Sequence, residues 1–304
     1  GVQTCALPIS LAEAGLPKGA LNVVVGEGRA VGGELAGNPA VAGLSFTGSH
    51  GVGWQIYQQL AQRMARSQME MGGKNPTIVL ADADLDLAAR LVAIAGFGLT
   101  GQACTATSRV IVEKSVVEAF TAKLVEKAKA VVVGNGLKQG VTMGPAVSRQ
   151  QLESNLNYVQ VARQDGANLV HGGSRLNDGE LAQGWFMQPT ILGNVKPQAR
   201  IACEEVFGPV VGIIPVENFD EAMQVANSTK FGHTCSIYTS DANLVMKFTD
   251  AIEAGMVHIN QPTIGGEAQL PFGGVKATGY GPREMSEEGL NFFTELKKIG
   301  RAHV

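Results

Sequence analysis

The sequence is short of the residues that build metal and disulfide scaffolds. Its 304 residues include four cysteines and five histidines. Cys5 lies in a suspect end segment, and Cys104, Cys203 and Cys235 are spaced like neither a disulfide framework nor a zinc site. The histidines form no HExxH or HxxxH pair, so no metal is expected. Few cysteines and no framework point to a reducing, cytoplasmic compartment. Charged residues are 17% of the chain and leave a net charge of −3, with no basic footprint for nucleic acid. No apolar run reaches the length of a membrane span, and the N-terminus lacks the charged start of a signal peptide.

Both ends call for separate treatment. Encoded as ACG TGT GCT CTT CCG ATC, the segment Thr4 to Ile9 has a reverse complement that, read one base later, spells the closing Ile299 to Val304. Residues 1–9 and 299–304 are therefore expected to be non-native tails, two translations of one library adapter. The reading frame is then expected to be truncated, above all upstream of Ser10.

The whole chain is 45% hydrophobic and contains 39 glycines, enough for a large core in more than one domain. Short apolar strands alternate with helical spacing. Leu21 to Gly28 reads as a strand followed by a short helix, and Gly43 to Gly51 as a second strand and turn before a helix over Val52 to Ala65. Further strands are predicted at Pro76 to Leu80, Arg109 to Val112, Ala167 to Gly173, Pro209 to Val216 and Gly255 to Asn260. Asp82 or Asp84 is predicted to cap a helix with Leu85, Leu87, Ala88 and Leu91 on its apolar face, and helices are predicted over Ser115 to Val131 and Ser148 to Asp165. This alternation implies an α/β fold whose parallel sheet is covered on both faces.

Chemistry concentrates in a few glycine-rich blocks. FTGSHGVG places Thr47, Gly48 and Ser49 between a strand and a helix, where free N–H groups hold a phosphate; an ordinary N-cap reads equally well there. EMGGKNP puts Glu70 beside a bend, as a carboxylate facing a cleft or as a solvated helix-end acid, with Lys74 as an anion-steering or merely solvated cation. GQACTATSR puts Cys104 where a helix N-terminus would lower its thiol pKa, or where a cysteine is a small buried hydrophobe. CEEVFGPV offers Glu205 to a sugar diol and Phe207 to a flat ring, and PFGGVKATGYGPRE offers Phe272 to a pocket or to the core. A thiol and a carboxylate together fit covalent catalysis at a carbonyl carbon.

These blocks, taken in order, resemble the aldehyde dehydrogenase superfamily over about Leu11 to Lys298. The resemblance implies an aldehyde dehydrogenase-like α/β fold: a partial Rossmann-type NAD(P)-binding domain over residues 10–71, an α/β catalytic domain over 72–271, and a segment over 272–298 returning to the domain interface. It implies Cys104 as nucleophile and Glu70 as the base that activates water. Thr47, Gly48 and Ser49 would then meet the pyrophosphate of NAD or NADP, Glu205 and Phe207 the nicotinamide ribose and ring, and Phe272 the substrate pocket. The substrate would be a small aldehyde, and the full-length protein a homodimer or homotetramer. GQACTATSRVIV, EMGGKNP and YGPREM are similar to bacterial α-ketoglutarate semialdehyde dehydrogenases, with succinate semialdehyde and general aliphatic aldehyde dehydrogenases as alternatives. The family's upstream asparagine and its adenosine-ribose lysine segment have no counterpart here, so the chain alone is expected to show little NAD-linked activity. The competing classes are a CoA-acylating relative, which would not need Glu70; a non-catalytic scaffold; and a cysteine hydrolase, in which His50, His171, His233 or His258 would activate Cys104.

Overall fold

The computed structural model describes residues 9–300, so most of both expected tails lies outside the described residues. The chain divides into two units, one made of residues up to Leu44 with Trp54–Ser67, the other of Ser45–Gly53 and everything from Gln68 onward.

In the smaller unit, helix α1 (Gly28–Gly37) follows an extended stretch. The strand expected from Leu21 to Gly28 does not form: Val23, Val24 and Val25 are 50%, 71% and 85% exposed. A β-propensity run becomes a strand only when a neighbour accepts its ladder, and no partner strand pairs with it among the described residues. Arg63 gives this unit a polar tie, donating to the carbonyls of Val41 (2.7 Å) and Ala36 (3.3 Å).

The larger unit is built on a seven-stranded sheet. Its strands are β3 (Asn75–Val79), β4 (Thr107–Glu113), β5 (Asn168–His171), β6 (Thr190–Gly193), β7 (Val210–Val216), β9 (Thr234–Tyr238) and β10 (Met256–Ile259), in the order β10-β9-β3-β4-β7-β6-β5. All neighbours run parallel except β5, which closes one edge antiparallel to β6. The continuous apolar runs reflect burial on both faces. Along β4, Val110 and Val112 enter one core while Ile111 enters the other, and Ile213 and Ile214 of β7 divide the same way.

Helices α3 (Leu85–Phe97) and α4 (Val117–Lys129) cover the face of Val110, through Val92 and Phe97 and through Phe120 and Leu124. Helices α5 (Arg149–Gln164), α7 (Phe219–Asn227) and α8 (Ala242–Ala251) cover the other face, through Leu152 and Val159, Val225, and Phe248. The tetrapeptide helix α6 (Arg200–Cys203) precedes β7. Of the two expected caps it is Asp84 that serves, its Oδ1 accepting from the N–H groups of Asp86 (3.1 Å) and Leu87 (3.0 Å). Asp82 instead accepts from Thr239 and Ser240 at the end of β9.

Three shorter features frame the site. Strand β1 (Gly43–Gly48) leads through Ser49 into α2 (His50–Gln62). Strand β2 (Arg66–Met71), which the sequence reading missed, pairs antiparallel with β12 (Gly279–Tyr280), setting Glu70 opposite Gly279. Strands β8 (Phe231–Gly232) and β11 (Val275–Lys276) form a ribbon, and α9 (Ser286–Phe292) follows.

Candidate active site

Glu70 is not a solvated helix-end acid. It stands near the end of β2 at 3% exposure. The chain then runs through Gly72 and Gly73 to β3, and both positions need glycine for close approach. A Cβ at Gly72 would stand 1.9 Å from the Glu205 carboxylate, and one at Gly73 would stand 2.9 Å from the Cys104 carbonyl oxygen and 3.1 Å from His233 Cβ. Without those side chains the Gly73 N–H donates to Glu205 Oε1 at 3.0 Å.

Asn75, which the sequence reading did not single out, locks the cysteine turn to the sheet. Its Nδ2 donates to the carbonyls of Cys104 (2.7 Å) and Ala106 (2.8 Å), and its Oδ1 accepts from Thr234 N–H (3.4 Å). Thr263 adds a second tie, donating to the Thr105 carbonyl at 2.7 Å. An asparagine directly before Pro76 is held extended by the proline, which suits the start of β3 and was the one sequence cue available.

Cys104 is half-buried in the turn between a 3-10 segment (Gly98–Gly101) and β4. It does not cap a helix, so the expectation of a dipole-lowered thiol is overturned. Burial, followed by the negative charges of Glu70 and Glu205, pushes the thiol up to about 12.

Of the four histidines considered as partners for Cys104, the structure brings one to the site. His233, one residue before β9, is 1% exposed. One ligand-capable atom each from Glu70, Cys104 and His233 lie within 4.8 Å of one another. His233 Nε2 stands 2.9 Å from Glu70 Oε1, yet the approach is misaligned and neither atom gains a hydrogen bond from it. His50 instead has its Nδ1 2.9 Å from the Ala277 carbonyl, and His171 and His258 lie on β5 and β10.

The remaining candidates surround this cluster. Burial raises the Glu205 carboxyl above its ordinary value. Lys74 is not a solvated cation: at 2% exposure, burial and then the charge of Arg109 lower it to about 7, and its Nζ has no hydrogen-bond partner. Arg109 is itself buried, spending its donors on the carbonyls of Lys74, Val225 and Ala226. Phe207 is 38% exposed with φ +56°, an aromatic held outward at a strained turn. Gly73, Asn75, Glu205 and Phe207 line one small cleft with Ala103 and Thr107. Phe272 packs edge-on against His233 (5.2 Å between ring centroids), and its backbone pairs with Glu284. Thr47, Gly48 and Ser49 are exposed at the β1–α2 junction, where Thr47 Oγ1 donates to Glu284 Oε1 at 3.3 Å.

The whole chain is similar to known proteins. A curated α-ketoglutaric semialdehyde dehydrogenase of Bacillus subtilis is 45% identical over 97% of this chain and 61% of its own length. An α-ketoglutarate semialdehyde dehydrogenase of Haloferax volcanii is 46% identical over 95% of this chain and 60% of its own length. The chain thus spans about three fifths of these relatives. Among solved structures, a putative aldehyde dehydrogenase from Burkholderia cenocepacia superposes with a TM-score of 0.92 at 38% identity, over 95% of this chain and 59% of that one. The betaine aldehyde dehydrogenase of Staphylococcus aureus in complex with NAD+ gives 0.90 at 34% identity, over 94% and 56%. With the aldehyde dehydrogenase family profile matching residues 3–299, the chain belongs to the aldehyde dehydrogenase family.

Proposed function

We propose that this chain carries the catalytic part of an NAD(P)-dependent dehydrogenase that oxidises an aldehyde to a carboxylic acid. The observation that carries this reading is the convergence of the buried Glu70, near the end of β2, and the half-buried Cys104, in the turn before β4, within 4.8 Å. In this reading the Cys104 thiolate attacks the aldehyde carbon, and the Cys104 N–H holds the oxyanion of the thiohemiacetal. NAD or NADP, when bound, supplies the hydride acceptor. Glu70 then takes a proton from the water that hydrolyses the thioester.

The residues present fit the dinucleotide. The start of α2, with the exposed Thr47, Gly48 and Ser49, suits a pyrophosphate. Glu205, held by Gly73 N–H, offers acceptors to a ribose diol, and the outward Phe207 offers a flat ring. Phe272, against His233, would border the aldehyde pocket.

Residues 10–71 are read as part of the cofactor domain, 72–271 as the catalytic domain and 272–298 as the returning segment. The exposed Leu290, Phe293 and Leu296 support burial between copies in a homodimer or homotetramer. No helix among the described residues is long and apolar enough to cross a membrane, which is compatible with a cytoplasmic enzyme.

The similarity to two semialdehyde dehydrogenases favours α-ketoglutarate semialdehyde as substrate. The test is NAD(P)H formation with that aldehyde, succinate semialdehyde and simple aliphatic aldehydes, on this chain and on the chain extended upstream to its relatives' length. Activity in the extended protein that disappears in Cys104→Ala is expected. Activity that survives the substitution, or none with any aldehyde, would overturn the reading.

A further inference from the structure

His233 is a buried histidine whose two ring nitrogens both lack a hydrogen-bond partner. Buried polar atoms are nearly always paired, so an unpaired imidazole between a thiol and a carboxylate needs a chemical reason. The imidazole is held on three sides: its Cβ lies close to Gly73, its ring packs edge-on against Phe272, and its Nε2 faces Glu70 Oε1 at 2.9 Å. Among the described residues the charged groups facing it are carboxylates from three directions. Glu70 approaches from β2, Glu205 from the turn before β7, and Glu284 from the segment before α9. Cationic groups stand behind them. Lys74 acts on Glu205, and the Arg283 side chain lies beside Gly273, which also borders Glu70. A carboxylate facing one ring nitrogen and a thiol in the same cluster leave the imidazole between a proton donor and an acidic partner.

We propose that His233 is the proton store of this site: the S–H bond of Cys104 breaks, its electron pair stays on sulfur, and the proton comes to rest on a His233 ring nitrogen, facing Glu70. The proposal rests on the reading of Cys104 as a nucleophile and adds how its thiolate forms. The proton moves within the cluster, so the pocket gains no net charge while it holds a thiolate beside two carboxylates. His233 is thus a positioning residue acting through Cys104 and Glu70.

The test needs neither aldehyde nor dinucleotide, so its outcome is separable from that of the dehydrogenase assay. The rate of iodoacetamide alkylation of Cys104, located by peptide mass mapping, is measured against pH for wild type, His233→Leu and His233→Gln. Cys203 in the same molecule serves as the internal reference. Wild type is expected to alkylate at neutral pH, and both variants to move the midpoint up by at least about one unit, a tenfold or greater loss of rate at neutral pH. Unaltered Cys203 rates would show that the fold persists. A Cys104 profile that His233→Gln leaves like wild type would overturn the proposal, because glutamine keeps hydrogen bonding but stores no proton. Should His233→Leu fail to fold, the glutamine variant decides alone.

Discussion

Lys74 is an amine that the fold keeps out of water without giving it a hydrogen-bond partner, and removing its charge should change stability in a pH-dependent way. Its value falls from 10.5 to about 7, first from burial, then from the charge of Arg109, with Glu205 opposing. Between those two values the folded chain binds fewer protons than the unfolded chain, so stability rises with pH across the window. The shift corresponds to a destabilisation of about 5 kcal/mol where both states are protonated, below pH 7, and about 3 kcal/mol of it is recovered by about pH 9. The substitution Lys74→Met keeps most of the aliphatic stem and leaves the backbone carbonyl that Arg109 uses. It should therefore stabilise the larger unit by about 4 kcal/mol near pH 7 and remove most of the slope above it.

The upper limit of the window matters, because burial also pushes Cys235 and Tyr238 up to about 12. Those groups hold protons in the folded state that the unfolded state has released, so Cys235 begins to lower stability above about pH 9 and Tyr238 above about pH 10. The assay is urea unfolding at about pH 7, 8 and 9, followed through Trp185 in a Trp54→Phe background. Wild-type stability that is flat or falling over this range, or a Lys74→Met curve parallel to wild type, would refute the reasoning.

Three further outcomes follow from the site. With Glu70→Gln in the upstream-extended protein, thioester formation should persist while hydrolysis slows by about 10²–10⁴-fold, seen as one equivalent of NAD(P)H released in a burst before a slow steady state; an unchanged steady state would remove Glu70 from the hydrolytic step. Asn75→Ala leaves the Cys104 and Ala106 carbonyls without their donor and should cost about 2–3 kcal/mol in urea unfolding, with Cys104 alkylation losing its distinction from Cys203. Gly72→Ala drives a methyl into the Glu205 carboxylate and should weaken NAD binding to the extended protein at least tenfold by fluorescence titration, while leaving the Cys104 alkylation profile within a factor of about two.

Much of the fold could be read because the central strands are fully buried and carry their own pattern. Runs such as RVIVE and VVGIIPV are apolar at successive positions only when both sheet faces are covered, and the Asp84 and Ser148 caps mark their helices within a residue or two. The run LNVVV has similar propensity and yet stays exposed coil, because strand formation depends on a neighbour that local sequence does not contain. Strand β2 was missed for the complementary reason: RSQMEM looks polar, and Gln68 and Glu70 are buried only because of what packs on them.

The sequence by itself determined the family, since glycine-rich blocks around Cys104, Glu70 and Glu205 occur in one order and glycine is required wherever backbone and side chain approach below 3 Å. Tertiary structure alone decided the electrostatics. A thiol expected at a helix N-terminus stands instead among carboxylates, a lysine expected in solvent is buried and unpaired, and a histidine far along the chain from Glu70 and Cys104 completes their cluster. Charge energies depend on burial and on distance through space, and a pattern of neighbours along the chain encodes neither.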